Sequence, residues 1–272
     1  MEKSNQKNNK SSAPSSFISM ECKLFRKNEK ETLKKNRDRA NDLSEHIVNW
    51  IDTFPELSKR NPNLFLSLVG LRFCEMLPDM QLTLFSILSG GYFNAVRNLR
   101  FTFESMIHAV YLEDEYPEVF PGLFFEVINE QNEEIDFENH LEQKIVKKYP
   151  QKLNLIREVT GFKVRIIDKL AFLEGKEKEK LKITYHKLSQ LSHPSPNQIK
   201  KLLHEPGFAF THFYDEKLFN ECADLTDEVM DVTFAIALYK FPALIPTIKT
   251  QENSILFNSL CRLPITKRFL VV

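Results

Sequence analysis

Glycine is scarce in this chain, with 7 among 272 residues. Few residues are therefore free to take positive φ, which tight hairpin turns require, and that argues against a hairpin-rich β fold. No Gly-x-Gly-x-x-Gly stretch and no Walker-type loop occurs, so the usual backbone cradles for nucleotide phosphates are not encoded. Cys22, Cys74, Cys222 and Cys261 lie far apart in sequence, without the spacing of a zinc knuckle or a redox Cys-x-x-Cys. They read as isolated reduced thiols, and neither a metal nor a cofactor is expected. Lys plus Arg and Asp plus Glu both number 37, so the basic excess of a duplex-DNA coating protein is missing. Long hydrophobic runs are missing too. The uncharged stretch 80–96 is interrupted by Gln81, Ser86, Ser89, Gly90, Gly91 and Asn94. It falls short of the roughly 20 mostly apolar residues of a membrane span, so no membrane partner is expected. Residues 1–16 are polar with no apolar centre, which predicts a floppy tail over 1–19, no secretory leader and a cytoplasmic protein.

What is present is ordinary globular composition, 42% hydrophobic and 27% charged, with 23 phenylalanines. Helical periodicity dominates, and no linker composition divides the chain. The prediction is an all-α protein: a single multi-helix bundle over 20–272 around a central apolar helix carrying an Arg/Glu/His stripe. Residues 20–50 read as a charged surface helix ending near Thr53–Phe54–Pro55. Across 61–112 only Arg72, Glu75, Asp79, Arg97, Arg100 and Glu104 are charged, which marks central helices, with Pro78 and Gly90–Gly91 as their boundaries. A helix is predicted over 92–115, stopping before Pro117. Residues 123–149 read as one amphipathic helix, acidic at its start and basic at its end, as the helix dipole favours. A further helix reaches Ser192 and is halted by His193–Pro194–Ser195–Pro196. Asp215 is an N-cap candidate for a long helix to Tyr239, followed by a short helix and an apolar tail.

The helix over 92–115 carries an unusual polar stripe. At 100° per residue Arg97, Arg100, Glu104, His108 and Tyr111 fall within about 80°. Val96, Leu99, Phe103, Met106, Ile107 and Val110 form an apolar stripe beside it, and Asn94, Asn98, Thr102, Ser105 and Ala109 a third face of small residues. The helix has no lysine, so the stripe is read as buried. Buried charges must be paired, and an internal Arg–Glu network is one outcome. Two guanidiniums with a carboxylate and an imidazole can also hold a phosphate or carboxylate. A second group, Tyr185, Ser189 and His193, lies on one face of the helix that ends at the prolines. An imidazole at a helix C-terminus is favoured in its charged form and suits proton transfer, or it caps carbonyls of its own helix. His46, His140, His204 and His212 have no comparable company and read as surface or packing residues.

The block GGYFNAVRNLRFTFESMIHAVYL at 90–112, followed by YHKLSQLSHPSP at 185–196, resembles an uncharacterised prokaryotic all-helical family. That family is distantly similar to the HEPN superfamily of helical nucleotide-binding domains and RNA-cutting nucleases. The matching positions are Ala95, Leu99, Arg100 and Glu104, then Tyr185, Leu188, Ser189, His193 and Pro194. The resemblance implies a HEPN-like core over about 61–240. HEPN nucleases carry Arg, four to six residues, then His on one helix. Arg100 and His108 have seven residues between them and miss that spacing, whereas Arg39 and His46 meet it with six. With 11 arginines and 7 histidines in the chain, one match is expected by chance, and the spacing alone selects nothing.

The functional expectation is therefore a HEPN-like binding or interaction module whose partner is an RNA or nucleotide anion, a protein, or a second copy of the chain. Its ligand-binding candidates are Arg97, Arg100, His108, Tyr111, Tyr185, Ser189 and His193. The alternative is a metal-independent ribonuclease of a defence or toxin–antitoxin type, with His193, Arg100 and Glu104 as its catalytic group. Either role expects Arg100 and His193 to share one cavity, and Glu104 to be buried.

Overall fold

The structure is a computed structural model, and it describes residues 13–61, 67–117, 119, 122–130, 137–154, 175–192, 213–250 and 255–271. Among the described residues there is no strand, and the chain is an all-α bundle. The long elements are α1 (Ala13–Lys35), α2 (Arg37–Arg60), α3 (Leu68–Leu88), α4 (Tyr92–Glu115), α7 (Gly175–Ser192) and α8 (Glu216–Lys240). Shorter ones are α5 (Gly122–Asn129), α6 (Phe137–Lys148), α9 (Leu244–Lys249), α10 (Ile255–Cys261) and α11 (Pro264–Val271).

Two helices form the centre. α4 packs against α3, α7 and α8. Its apolar stripe from Val96 to Val110 is buried as its periodicity predicts. α8 is buried all round over 229–238 and also meets α2, α3, α7 and α11. The bundle is thus built on a pair of central helices where one was expected. The small-residue face of α4 receives α3: Thr102, Ser105 and Ala109 are buried, and the Thr102 hydroxyl points at Asp79 Oδ2, 3.4 Å away.

The α3–α4 turn explains the only glycine pair. Gly90 N–H donates to Ile87 O at 3.1 Å and Gly91 N–H to Ser86 O at 2.7 Å, the bond pattern of a Schellman cap, with Gly90 at φ +82°. A Cβ on Gly90 would lie 2.3 Å from the backbone oxygen of Phe213. Phe213 N–H in turn donates to Gly90 O at 3.2 Å, and the Tyr92 hydroxyl accepts from Asp215 N–H at 3.2 Å. The glycine turn therefore seats the segment that starts α8. Burial pushes the Tyr92 hydroxyl pKa up to about 12, so it stays a neutral phenol.

Helix starts are capped by carboxylates from other helices as well as from their own. Ser67 Oγ accepts from Gly70 N–H at 2.8 Å, and Glu113 on α4 reaches the same first turn of α3, accepting from Val69 N–H at 3.0 Å. Asp215 caps α8 through Leu218 N–H at 2.9 Å, as the sequence predicts. Asp231, buried within α8, accepts from Ile265 and Thr266 N–H at 3.0 and 2.8 Å and so fixes the start of α11.

Several boundaries differ from expectation. α1 begins at Ala13, inside the span 1–19 expected as a tail. The charged segment after it bends at Asn36 into two helices, and α2 continues through Pro55 to Arg60. Pro78 lies inside α3 and does not end it. It sits on the exposed side, where the carbonyl it leaves unbonded can turn to water. The expected single helix over 123–149 is a hairpin of α5 and α6. Its acidic and basic halves do not follow one helix dipole. Lys148 and Lys144 of α6 instead pair with Glu126 of α5 and with Glu130 just after it. The expected apolar tail at 269–272 is helical to Val271, with Leu270 buried.

Candidate functional site

The two sequence motifs meet where α4 crosses α7. Arg100 Nε donates to Glu104 Oε1 at 2.8 Å, one turn on along α4. Arg100 Nη1 donates to Ser192 Oγ at 2.9 Å, across 92 residues of sequence. The guanidinium lies 5.9 Å from the centre of the Tyr185 ring, and that ring stacks on buried Phe103 with centroids 6.2 Å apart. The cation therefore sits on an aromatic shelf, with one edge held by a carboxylate and a hydroxyl. Burial opposes its charge, but the bonds from Glu104 and Tyr185 outweigh burial and raise the Arg100 pKa. The side chains of Arg100 and Glu104 are 24% and 23% exposed. The pair is half-buried, not sealed as the sequence reading expected, because it lies at the edge of the α4–α7 contact.

Not every member of the expected stripe belongs here. Arg97 is exposed and has no ion-pair or hydrogen-bond partner among the described residues, so it leaves the buried site. His108 is buried, but eight residues of helix carry it about 12 Å along the axis from Arg100. Tyr111 packs against the core further along still. The common angle on the helical wheel is real, but it hides this axial separation, so His108 and Tyr111 are corrected to core-side positions outside the Arg100 site. On α7, Tyr185 reaches the site, Leu188 is fully buried, and Ser189 is half-buried with its carbonyl accepting from Ser192 Oγ at 3.2 Å. The hydroxyl that bonds Arg100 belongs to Ser192, which the sequence reading passed over in favour of Ser189. An i, i+7 step from Tyr185 to Ser192 follows the helix face more closely than the i, i+8 step to His193. His193, Pro194, His204 and His212 lie outside the described residues.

A second polar cluster joins α2 to α8. Arg39 Nη2 donates to Asp227 Oδ2 at 2.7 Å and to Asp224 Oδ1 at 2.9 Å. His46 Nδ1 lies 3.5 Å from Asp227 Oδ1. His46 Nε2 is buried with no hydrogen-bond partner among the described residues. Burial would raise the Asp227 pKa, but His46 and Arg39 together hold it below the ordinary carboxylate range. The neighbouring Glu228 turns the other way and accepts from Thr184 Oγ1 at 2.6 Å and Lys187 Nζ at 3.2 Å, both on α7. His46 is thus not an isolated histidine, as the sequence reading had it. Its only signal in the sequence was the Arg39–His46 spacing, and the third member lies 181 residues further on. His140 pairs at the surface with Glu130, at 3.2 Å.

All four cysteines are free, and burial pushes Cys74 up to about 11 and Cys222 up to about 12, so neither is a thiolate at neutral pH. Among the described residues no group of three His, Cys, Asp or Glu side chains could hold a metal ion, and no helix is long and apolar enough to cross a membrane. No family model, no curated protein and no solved structure matches this chain.

Proposed function

We propose that this protein is a HEPN-like helical binding module that holds an anionic group, a nucleotide or RNA phosphate, at the Arg100 site. The observation that carries the reading is the Arg100–Ser192 bond, which makes one place of the two motifs on which the family resemblance rests. The guanidinium is a planar fork suited to phosphate, and Glu104, Ser192 and the Tyr185 ring fix its orientation before any ligand arrives. His193 follows Ser192 in sequence and is the imidazole this reading assigns to the same anion. Such a module belongs in the cytoplasm, where nucleotides, RNA and reduced thiols coexist.

The test is fluorescence-polarisation binding of a labelled single-stranded oligouridylate, with ATP titrated separately. Arg100→Ala is expected to weaken binding at least about tenfold, while Lys217→Ala, at an exposed position in the first turn of α8 that pairs with Glu221, leaves it unchanged. Equal binding by Arg100→Ala, or no binding of either probe by the wild type, overturns the reading.

A ribonuclease is the second reading, now favoured by the convergence of Arg39 and His46 on Asp227. Asp227 would orient the imidazole through Nδ1 and leave Nε2 for proton transfer. The burial of Nε2 places this reading second. EDTA-resistant cleavage of mixed RNA that His46→Ala abolishes would promote it. Cleavage lost in His193→Ala but kept in His46→Ala would move the chemistry to the Arg100 site.

A further inference from the structure

α3 and α4 run antiparallel as neighbours and bury corresponding sides against the bundle, through Phe73, Met76 and Met80 on one and Leu99, Phe103 and Met106 on the other. The side of each helix turned away from the core carries exposed residues, and on α3 that side is flanked by α1, whose Phe25 ring lies 4.6 Å from the Phe85 ring. These outer sides are unusually apolar. Leu82, Phe85 and Phe101 are 56%, 58% and 53% exposed, and Pro78 is exposed beside them. Between residues 78 and 101 the only exposed charged side chain is Arg97, and it has no partner among the described residues. Large apolar side chains left exposed on two neighbouring helices mark an interaction surface, since leaving phenylalanine in water forfeits the free energy of burying it.

The charges on α4 say what covers the patch. Arg97 lies four residues before Phe101 and Glu104 three residues after it, on the same outward side. A two-fold axis through Phe101, with α4 antiparallel to its copy, brings each Arg97 near the other chain's Glu104, whose Oε1 also holds Arg100 of its own chain, and sets the two Phe101 rings against each other. The register is limited from one end. His108, on the same side of the helix, is buried, so the open stretch of α4 ends near Glu104 and Phe101 lies within it. We infer that the outer face of the α3–α4 hairpin is an isologous dimer interface, occupied by a second copy of this chain, with Phe101 on the axis and Arg97 paired across it to Glu104. The inference stands on the exposed face and its charge spacing and does not depend on what Arg100 binds.

Sedimentation equilibrium of the full chain tests it. The wild type is expected to be dimeric at about 50 µM, with a dissociation constant that rises with salt. Phe101→Glu is expected to raise that constant at least about tenfold while leaving the circular dichroism spectrum unchanged, because the side chain it replaces is exposed. Arg97→Glu is expected to weaken the dimer in the same direction. In a Cys22→Ser background, Phe101→Cys should oxidise to a disulfide between two copies, since a residue on a two-fold axis faces itself. A monomeric wild type at this concentration overturns the proposal, as does a dimer that survives Phe101→Glu or a Phe101→Cys chain that does not cross-link. A monomer whose RNA binding is lost in Phe101→Glu would reassign the face to nucleic acid and equally overturn it.

Discussion

Arg100 and Ser192 are 92 residues apart in sequence and 2.9 Å apart in space, and their hydrogen bond joins the central helix α4 to the last turn of α7. Both sequence motifs therefore act on one guanidinium. The strength of that arrangement depends on its exposure, which only the packing reveals.

Glu104→Ala is expected to cost about 1 kcal/mol of stability. Complete burial of the pair would have implied about 3–5 kcal/mol, the cost of an abandoned charge in a dry interior. The side chains of Arg100 and Glu104 are about a quarter exposed, so water screens the guanidinium once its partner is gone, and Ser192 still binds it. Urea unfolding of the single variant decides between the two values. A loss above about 3 kcal/mol would show that the site is closed to solvent.

Asp227→Asn is expected to destabilise the protein by about 2 kcal/mol at neutral pH, because one carboxylate anchors both Arg39 and His46 and only Arg39 retains a second partner in Asp224. The pH dependence has a definite sign. Asp227 has a folded-state pKa below its unfolded value, so its contribution is fully present above the ordinary carboxylate pKa of about 4 and fades as pH falls through the lower folded value. The gap between variant and wild type should therefore narrow on acidification below about pH 4. A gap that stays constant down to pH 2–3 contradicts the assignment.

Gly90→Ala should cost at least about 2 kcal/mol, combining the left-handed backbone penalty with a Cβ placed 2.3 Å from a carbonyl oxygen. Phe213 would have to retreat, and with it the segment leading into α8. Differential scanning calorimetry gives the loss directly. An unchanged melting temperature would mean that residues 213–215 do not dock on the glycine turn.

Asp231→Ala is expected to release the last helix. Its carboxylate accepts from the first N–H groups of α11, which are buried and have no water to replace it. Orphaning them costs about 2–3 kcal/mol. Burial raises the Asp231 pKa, and bonds from Ile265 and Thr266 offset this only in part. Its pH dependence thus runs opposite to that of Asp227: with the folded-state pKa above the unfolded one, protonation favours the fold, and that contribution is lost as pH rises through the folded value. Hydrogen exchange at Ile265 and Thr266 should accelerate in the variant, and unchanged protection would refute the cap.

Much of the local structure was legible because its causes are local. The Gly90–Gly91 stop, the α4 limits at Tyr92 and Glu115 and the Asp215 cap all follow from residues within one turn of the feature they produce. Pro78 misled for a related reason. A proline predicts a break only where the lost hydrogen bond cannot be replaced, and on an exposed helix side water replaces it. The α5–α6 charges misled because like segments of opposite sign look the same whether they follow one helix dipole or pair across a hairpin.

The candidate site divides in the same way. Periodicity placed Arg100 and Glu104 one turn apart on a largely apolar helix, and it grouped Arg97, His108 and Tyr111 with them because a helical wheel records angle and discards height. Which of the five would be buried, and beside what, was not written in α4. It was decided by α7 crossing at Arg100, by the solvent left over Arg97, and by the distance along the helix to His108. The sequence by itself determined an all-helical chain with a polar stripe on an apolar central helix, since 3.6-residue periodicity, capping residues and scarce glycine act through bonds within a turn or two. Only the tertiary structure decided that Arg100 meets Ser192 and that Arg39 and His46 share Asp227. Such contacts depend on how helices far apart in sequence dock, and docking is set by the summed burial of apolar faces that no single motif encodes.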